Sequence, residues 1–297
     1  DNQVASAGIT TVFDAVSIGD VNEGSERIVR LVESVEALAH AQDNNLLRAD
    51  HKLHLRCETS FPGMIDAVGT LVEMPLVKML SVMDHTPGQR QFVSLEAYYT
   101  YYQGKYGLND EEMRKFVATR RRDSELYSAK HRRHVVETAH ARGLALASHD
   151  DATNAHVAEA VADKMTVAEF PTTLEAAKAS HEAGLGVMMG GPNLVRGGSH
   201  NGNVAAGDLA KNGYLDIISS DYVPHSLLHG AMKLFDDFNE YDLPRAIRTV
   251  SLNPATQVDL TDRGEIAVGK RGDLIRVHHS PHHPIVRGVW REGVRVS

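Results

Sequence analysis

Cysteine is almost absent from this sequence: Cys57 is the only one in 297 residues. A single cysteine cannot close an intramolecular disulfide, which excludes a disulfide-stapled secreted scaffold and favours a reducing, cytoplasmic location. It also excludes a zinc site built from several cysteines. No uncharged apolar run approaches the roughly 18 residues that span a bilayer. The opening DNQVASAGITT lacks the basic and apolar segments of a signal peptide, so we expect neither a membrane anchor nor a leader.

An excess of positive charge is missing as well. The chain has 31 lysines and arginines against 39 acidic residues, a formal net charge of −8. We therefore expect no nucleic-acid partner, although a local basic pocket is compatible with this balance. Neither GxGxxG after the first strand nor GxxxxGK[ST] occurs, so a nucleotide cofactor or a P-loop has little support. Histidine is abundant, with 17 residues, and it is both a common metal ligand and the usual acid–base near neutrality.

Short apolar runs alternate with helical patterns along the chain. This alternation predicts an α/β fold with a parallel sheet, either a (β/α)₈ barrel or an open doubly wound sheet. The seven predicted strands cover residues 9–14, 53–58, 79–83, 144–148, 166–170, 185–189 and 215–219. We expect a barrel domain over residues 1–261, followed at 262–297 by strand-and-turn sequence that forms part of a small β-sandwich.

A polar and aromatic insertion at about 94–140 interrupts this alternation. An exposed helical segment with a solvated basic face is the plainer interpretation, and a lid over an anionic substrate is the alternative. Further along, Thr172 and Glu175 fit a capping box for the helix that follows the 166–170 strand.

Polar residues gather at the ends of the predicted strands, where parallel α/β folds carry their active sites. His149, Asp150 and Asp151 follow one apolar run. Neutral imidazole suits zinc or another transition ion, so we predict that His149 is a ligand and that one of the two aspartates caps the next helix. Glu58 ends another run and could bridge two cations, or simply pair with Arg56 or Lys52 at an exposed strand end.

Other strand ends carry weaker signals. Asp84 and His85 precede Arg90, whose planar guanidinium could hold a phosphate, although a simple turn is also consistent. The segment GGPNLVRGGSHNGN at 190–203 offers close backbone approach and side-chain donors for phosphate or phosphonate oxygens, or is only a flexible loop. Asp221 follows the last strand as a ligand, a general base or a cap. The tail histidines lie outside this pattern and are interpreted as exposed loop: His278, His279, His282 and His283.

Taken together, these segments resemble the diphosphatase branch of the amidohydrolase superfamily that acts in phosphonate catabolism, the C–P lyase pathway. The resemblance covers nearly the whole chain, in order. Its segments are HLRCE (54–58), MDHTPGQRQF (83–92), YYQGKYG (101–107), ASHDDAT (147–153), AEFPTT (168–173), GGPNLVRGGSHNGNVAA (190–206) and SSDYVP (219–224).

The resemblance implies a (β/α)₈ barrel that hydrolyses the 5-triphosphate of α-D-ribose 1-methylphosphonate 5-triphosphate to a 5-phosphate and diphosphate. One or two divalent ions are implied, zinc first, with manganese or iron as options. The implied metal ligands are Glu58, His149, Asp221 and Glu169, the last at a position where many amidohydrolases have histidine. Asp221 is expected to deprotonate the attacking water, with His149 as the second catalytic residue. Substrate contacts are expected from Arg196, Ser199, His200, Arg90, His85, Lys105 and Asp150.

One feature of the superfamily is missing from the sequence. Its His-x-His or His-x-Asp pair on the first barrel strand does not precede Ile9, so we expect an N-terminal extension that carries this strand. Two other functions stay open: an amidohydrolase acting on a cyclic amide or N-acyl compound, and a non-catalytic phosphosugar-binding protein. A homodimer is one option for assembly.

Overall fold

The computed structural model describes residues 1–19, 30–90, 94–199, 202–280 and 283–297. Its main sheet has seven parallel strands in sequence order. They are β1 (Thr11–Ile18), β2 (Asp50–Glu58), β3 (Val77–Met83), β4 (Ala145–His149), β5 (Val167–Glu169), β6 (Gly186–Gly190) and β7 (Ile217–Ser219). Each corresponds to one predicted strand, so the α/β fold and its parallel sheet are confirmed. Within the described ranges β1 and β7 are the sheet edges and do not pair with each other, which leaves the barrel open between them.

Helices separate most of the strands and cover the outside of the sheet. In the described ranges they are α1 (Asn2–Ser6), α2 (Leu31–Asp43), α3 (Met64–Leu71), α4 (Leu95–Tyr106), α5 (Asp110–Arg142), α6 (Asn154–Ala162), α7 (Leu174–Glu182), α8 (Gly191–Arg196), α9 (Ala206–Lys211), α10 (Ser226–Asp237), α11 (Leu243–Arg248) and α12 (Leu252–Gln257). No helix among these ranges is both long enough and apolar enough to cross a membrane.

The alternation along β2 explains how the sheet divides core from site. Successive side chains of a strand point to opposite faces. One set packs with the covering helices in the largest apolar cluster: Leu53, Leu55 and Cys57. The other set points into the barrel: His54, Arg56 and Glu58. The inward face therefore becomes polar toward the carboxyl end of the strand, where the site lies.

Three local predictions were wrong. β1 continues to Ile18 instead of ending at Asp14, because the Asp14 carboxylate accepts a hydrogen bond from His51 Nδ1 at 2.7 Å and is tolerated inside the strand. α7 is capped by Thr173, which accepts from the Ala176 amide at 3.1 Å, so Thr172 and Glu175 form no capping box there. Thr153 caps α6, and neither aspartate of the His149 segment does.

The 94–140 segment is helical, as predicted, and consists of α4 and most of α5. Asn109 and Glu112 form a capping box at the start of α5, and Gly143 ends the helix with a φ of 62°. One face of α5 is buried against the protein, at Met113, Val117, Arg120, His131, Val135 and Ala139. The remaining charged face is solvated. Whether this segment acts as a lid stays a prediction.

The C-terminal segment has the predicted strand-and-turn character. It forms an antiparallel sheet of β8 (Leu274–His278), β9 (Ile285–Arg291) and β10 (Val294–Arg295). Asp50, at the start of β2, ties it to the barrel: its Oδ2 accepts from Arg263 at 2.6 Å and from Arg271 at 3.0 Å. The division into domains 1–261 and 262–297 stays a prediction.

Candidate metal centre

His149, the last residue of β4, is buried with both ring nitrogens engaged. Its Nδ1 donates to Glu169 Oε2 at 3.2 Å, and its Nε2 accepts from the Arg56 guanidinium at 3.1 Å. Burial lowers the pKa of His149 to about 3. The ring is therefore neutral near pH 7, with its Nε2 lone pair directed into the barrel, which is the form that ligates metals.

His85 follows β3 and is held in the same way by a second glutamate. Its Nδ1 lies 2.6 Å from Glu58 Oε2, and its backbone amide donates to Glu58 Oε1 at 3.1 Å. Burial alone would raise the pKa of Glu58, but the charge and hydrogen bonds of His85, with a hydrogen bond from Ser60, lower it to about 2. Burial would lower the pKa of His85, and Glu58 raises it instead.

Asp150 completes a compact donor set. Its Oδ2 lies 3.5 Å from His149 Nε2 and 3.7 Å from His85 Nε2, and ligand atoms of all three residues lie within 4.8 Å of one another. Two ligands of one tetrahedral zinc ion are separated by about 3.3 Å. Two imidazoles and a carboxylate suit zinc, manganese or iron. These residues therefore fit a single divalent ion.

Left-handed backbone occurs at three of the strand ends. Asp150 directly follows β4 and has a φ of 55°, and Phe170 directly follows β5 with a φ of 54°. Asp221 lies two residues after β7 and has a φ of 49°. Non-glycine residues adopt such angles rarely, and strained backbone of this kind clusters at functional sites. The Phe170 ring then packs edge-on against His149, with ring centroids 5.5 Å apart.

The predicted ligands occupy two different positions in this arrangement. His149 belongs to the compact set, whereas Glu58 and Glu169 hold the far nitrogens of the two rings. Such carboxylate–histidine pairs orient metal-binding imidazoles in many sites. His85 and Asp150, predicted to contact substrate, lie in the compact set instead. The individual roles stay predictions.

Asp221 lies on the loop after β7, is exposed, and lines the same cavity as Arg56 and Glu169. A Cβ at Gly190 would lie 3.1 Å from Asp221 Oδ2, so glycine at this position of the 190–203 segment leaves room for the carboxylate. Among the described residues, Asp221 is outside the compact donor set.

A cavity of about 690 Å³ separates the two edge strands. Toward the carboxyl ends of the strands its wall includes the polar residues His54, Arg56, Glu169, Ser220 and Asp221. Toward the other end the wall is mostly apolar, with Phe13, Met79, Val167, Met188 and Ile217, and it also includes Arg263 and Asp273.

Arg90 is placed differently from a phosphate-binding side chain. Its buried guanidinium pairs with Asp151 and with Glu159, and donates to the His149 carbonyl at 3.2 Å. Arg90 thus fixes the loop after β4, and a direct phosphate contact would require these partners to separate.

The other predicted substrate residues lie nearer the surface. Arg196 is exposed at the end of α8 and donates to the Gly198 carbonyl at 2.8 Å. Ser199 is partly buried, and His200 lies outside the described residues. Lys105 is exposed on α4, with its Nζ 5.2–5.9 Å from the ring centroids of Tyr101, Tyr102 and Tyr106. The tail histidines His278, His279 and His283 are exposed as predicted, but His278 is the last residue of β8 and not part of a loop. His282 is not among the described residues.

Two inward-facing residues of β2 were missed as site candidates. His54 Nε2 lies 2.8 Å from Ser81 Oγ and its Nδ1 3.8 Å from Glu169 Oε1; burial lowers the pKa of His54 to about 4. Arg56 contacts His149. The period-two spacing of His54, Arg56 and Glu58 was the available signal, since it places all three on the face that carries Glu58.

The amidohydrolase family matches residues 4–296. The chain belongs to the amidohydrolase family. Members of that family are metal-dependent hydrolases. The chain is also 47% identical, over all 297 residues, to the α-D-ribose 1-methylphosphonate 5-triphosphate diphosphatase of Escherichia coli (strain K12), and covers 79% of that protein.

Solved structures show the same fold at low identity. The dihydropyrimidinase from Brevibacillus agri matches with a TM-score of 0.57 and 12% identity, over 99% of this chain and 78% of that one. The D-hydantoinase from a Bacillus species (AR9) matches over the same shares, with a TM-score of 0.56 and 12% identity. At this identity the likeness concerns the fold alone.

Proposed function

We propose that this chain is a metal-dependent diphosphatase that converts α-D-ribose 1-methylphosphonate 5-triphosphate to the 5-phosphate and diphosphate. The observation that carries the proposal is the 47% identity to the E. coli enzyme of that name along the whole chain. The donor set at the ends of β3 and β4 supports the metal dependence, because both imidazoles already present Nε2 toward Asp150.

Within this proposal His85, His149 and Asp150 hold a divalent ion, with zinc favoured over manganese and iron. A bound divalent ion would lower the pKa of water and polarise a phosphoryl oxygen. Glu58 and Glu169 keep the two rings in the ligating tautomer. The Asp221 carboxylate accepts the proton of the attacking water. Arg196, Ser199, His200 and Lys105 supply donors for the phosphate and phosphonate oxygens, which matters because charge neutralisation provides much of the catalysis of phosphoryl transfer.

The decisive test is turnover of α-D-ribose 1-methylphosphonate 5-triphosphate, with diphosphate release measured before and after treatment with a chelator. We expect diphosphate from the untreated protein, loss of release after chelation, and recovery with added zinc. Asp221→Asn should lower kcat by about 10²-fold or more while the circular-dichroism spectrum is unchanged.

Two outcomes would contradict the proposal. Diphosphate release that survives complete removal of metal would refute the metal dependence. Absence of diphosphate release, together with hydrolysis of a cyclic amide such as a dihydropyrimidine, would refute the substrate.

A further inference from the structure

Arg56 is a cation on the inward face of β2 with little to neutralise it. Its side chain is partly buried and forms part of the cavity wall. The recorded hydrogen bond of its guanidinium goes to His149 Nε2, at 3.1 Å. Among the described residues, no carboxylate oxygen lies within 4.0 Å of the guanidinium nitrogens of Arg56, the limit for an ion pair.

Other buried arginines of this protein are paired. Arg90 is paired with Asp151, Arg120 with Asp123 at 3.3 Å, and Arg263 with Asp50 at 2.6 Å. A charged group withdrawn from water without an opposite charge is unfavourable. Arg56 is only partly buried and lines the cavity, so an anion that enters the cavity can pair with its guanidinium.

The geometry of the guanidinium suits phosphate oxygens. Arginine carries five N–H donors in a planar fork, which matches phosphate in a bidentate arrangement. His149 Nε2 has one lone pair and cannot accept from Arg56 and ligate an ion at once, so with the ion of the proposed function bound, the whole guanidinium fork can face an oxyanion beside the imidazole. The polar cavity wall near Arg56 also includes Ser220 and Asp221.

We propose that Arg56 binds the polyphosphate of the substrate and holds the reacting phosphoryl group next to His149. This inference rests on the proposed function, because it assigns a residue to the triphosphate of that substrate. It adds to the site a cation that lies at the centre of the barrel, whereas Arg196 and Lys105 are at the surface.

Two substitutions separate binding from mere support of His149. Arg56→Gln loses the charge but keeps an N–H donor for the imidazole, and Arg56→Lys keeps the charge but loses the fork. Arg276→Gln is the matched control, since Arg276 is exposed on β8 and is not part of the cavity wall. The readouts are tripolyphosphate affinity of the chelator-treated protein by calorimetry, zinc stoichiometry, and KM and kcat for the proposed substrate.

We expect Arg56→Gln to weaken tripolyphosphate binding by about tenfold or more, as for loss of a charged hydrogen-bonding group. KM should rise as well, and zinc stoichiometry should be unchanged. Arg56→Lys should lie between this variant and wild type, and Arg276→Gln should match wild type.

Unchanged tripolyphosphate affinity and unchanged KM in Arg56→Gln would overturn the proposal. If zinc stoichiometry fell while affinity and KM stayed unchanged, the role of Arg56 would be only to support His149. Turnover by the wild-type protein is measured first, which separates this outcome from failure of the proposed function. Thermal melting of each variant shows whether it is folded. If Arg56→Gln is unfolded, the tripolyphosphate affinity and KM of Arg56→Lys provide the test instead.

Discussion

At the scale of single residues, the site depends on which nitrogen of each histidine faces the barrel. Glu169 holds His149 through Nδ1 and Glu58 holds His85 through Nδ1. Both Nε2 atoms are thereby directed at Asp150. A histidine with a fixed tautomer loses little freedom when it binds an ion, and such carboxylate partners typically change metal affinity by about 10–100-fold.

Glu169→Gln tests this arrangement. The amide oxygen can still accept from Nδ1 but carries no negative charge to strengthen that bond, so we expect zinc affinity to fall by about 10–100-fold. Competition with a chromophoric chelator measures it, with the exposed Glu182→Gln at the end of α7 as the control. Unchanged affinity would contradict an orienting role, and a loss far beyond this range would support Glu169 as a direct ligand.

At the scale of the elements, the period-two and helical patterns predicted the strands and their order. Each strand is a short apolar run, and this pattern is visible in the local sequence. The same patterns did not predict the end of β1 or the first residues of two helices correctly. The β1 ladder pairs residues 11–18 with 50–57, and those inter-strand hydrogen bonds carry the strand past Asp14. The helix caps at Thr153 and Thr173 were missed because several neighbouring residues are able to cap a helix. Which of them does so depends on the residue at which the preceding strand ends.

Asp50 connects β2 to the C-terminal segment and should make stability depend on pH. Burial would raise its pKa, but hydrogen bonds and charges from Arg263 and Lys52 lower it from 3.8 to about 2. A carboxyl with a lowered folded-state pKa stabilises the protein above its unfolded pKa, and that contribution is lost as the pH falls through the folded value. The loss should therefore lie between about pH 4 and pH 2.

Asp50→Asn should lower the free energy of unfolding by about 1.5–3 kcal/mol at pH 7, since it removes the charged acceptor that Arg263 and Arg271 share, although Arg263 keeps Asp262. The variant should also lose part of the pH dependence between pH 4 and pH 2. Urea unfolding at several pH values measures both effects. The exposed Asp43→Asn serves as the control, and equal unfolding curves for the two variants would contradict the role of Asp50.

At the scale of the whole molecule, the candidate ligands come from two strand ends that the chain separates by more than sixty residues. Only the folded protein brings His85 and His149 together, so an ion that binds there must stabilise the folded state. Stabilisation follows ligand concentration, and zinc at about 100 times its Kd contributes about 2.7 kcal/mol.

Added zinc should therefore raise the Tm of the chelator-treated protein by a few degrees. His149→Asn should abolish this rise, whereas His140→Asn, at an exposed position near the end of α5, should keep it. Differential scanning calorimetry provides the measurement. A rise of the same size in both variants would show that zinc binds elsewhere.

The amino-acid order alone was enough to predict the parallel α/β fold and the polar character of the strand ends, because alternation and apolar runs are local properties. It also placed His149 and Glu58 at those ends. The folded structure was needed to show that Glu58 and Glu169 hold imidazole rings and that His85 and Asp150 join His149. It was also needed to show that Arg90 is paired while Arg56 faces the cavity. These assignments depend on distances between side chains from different strands, and the curl of the sheet sets those distances.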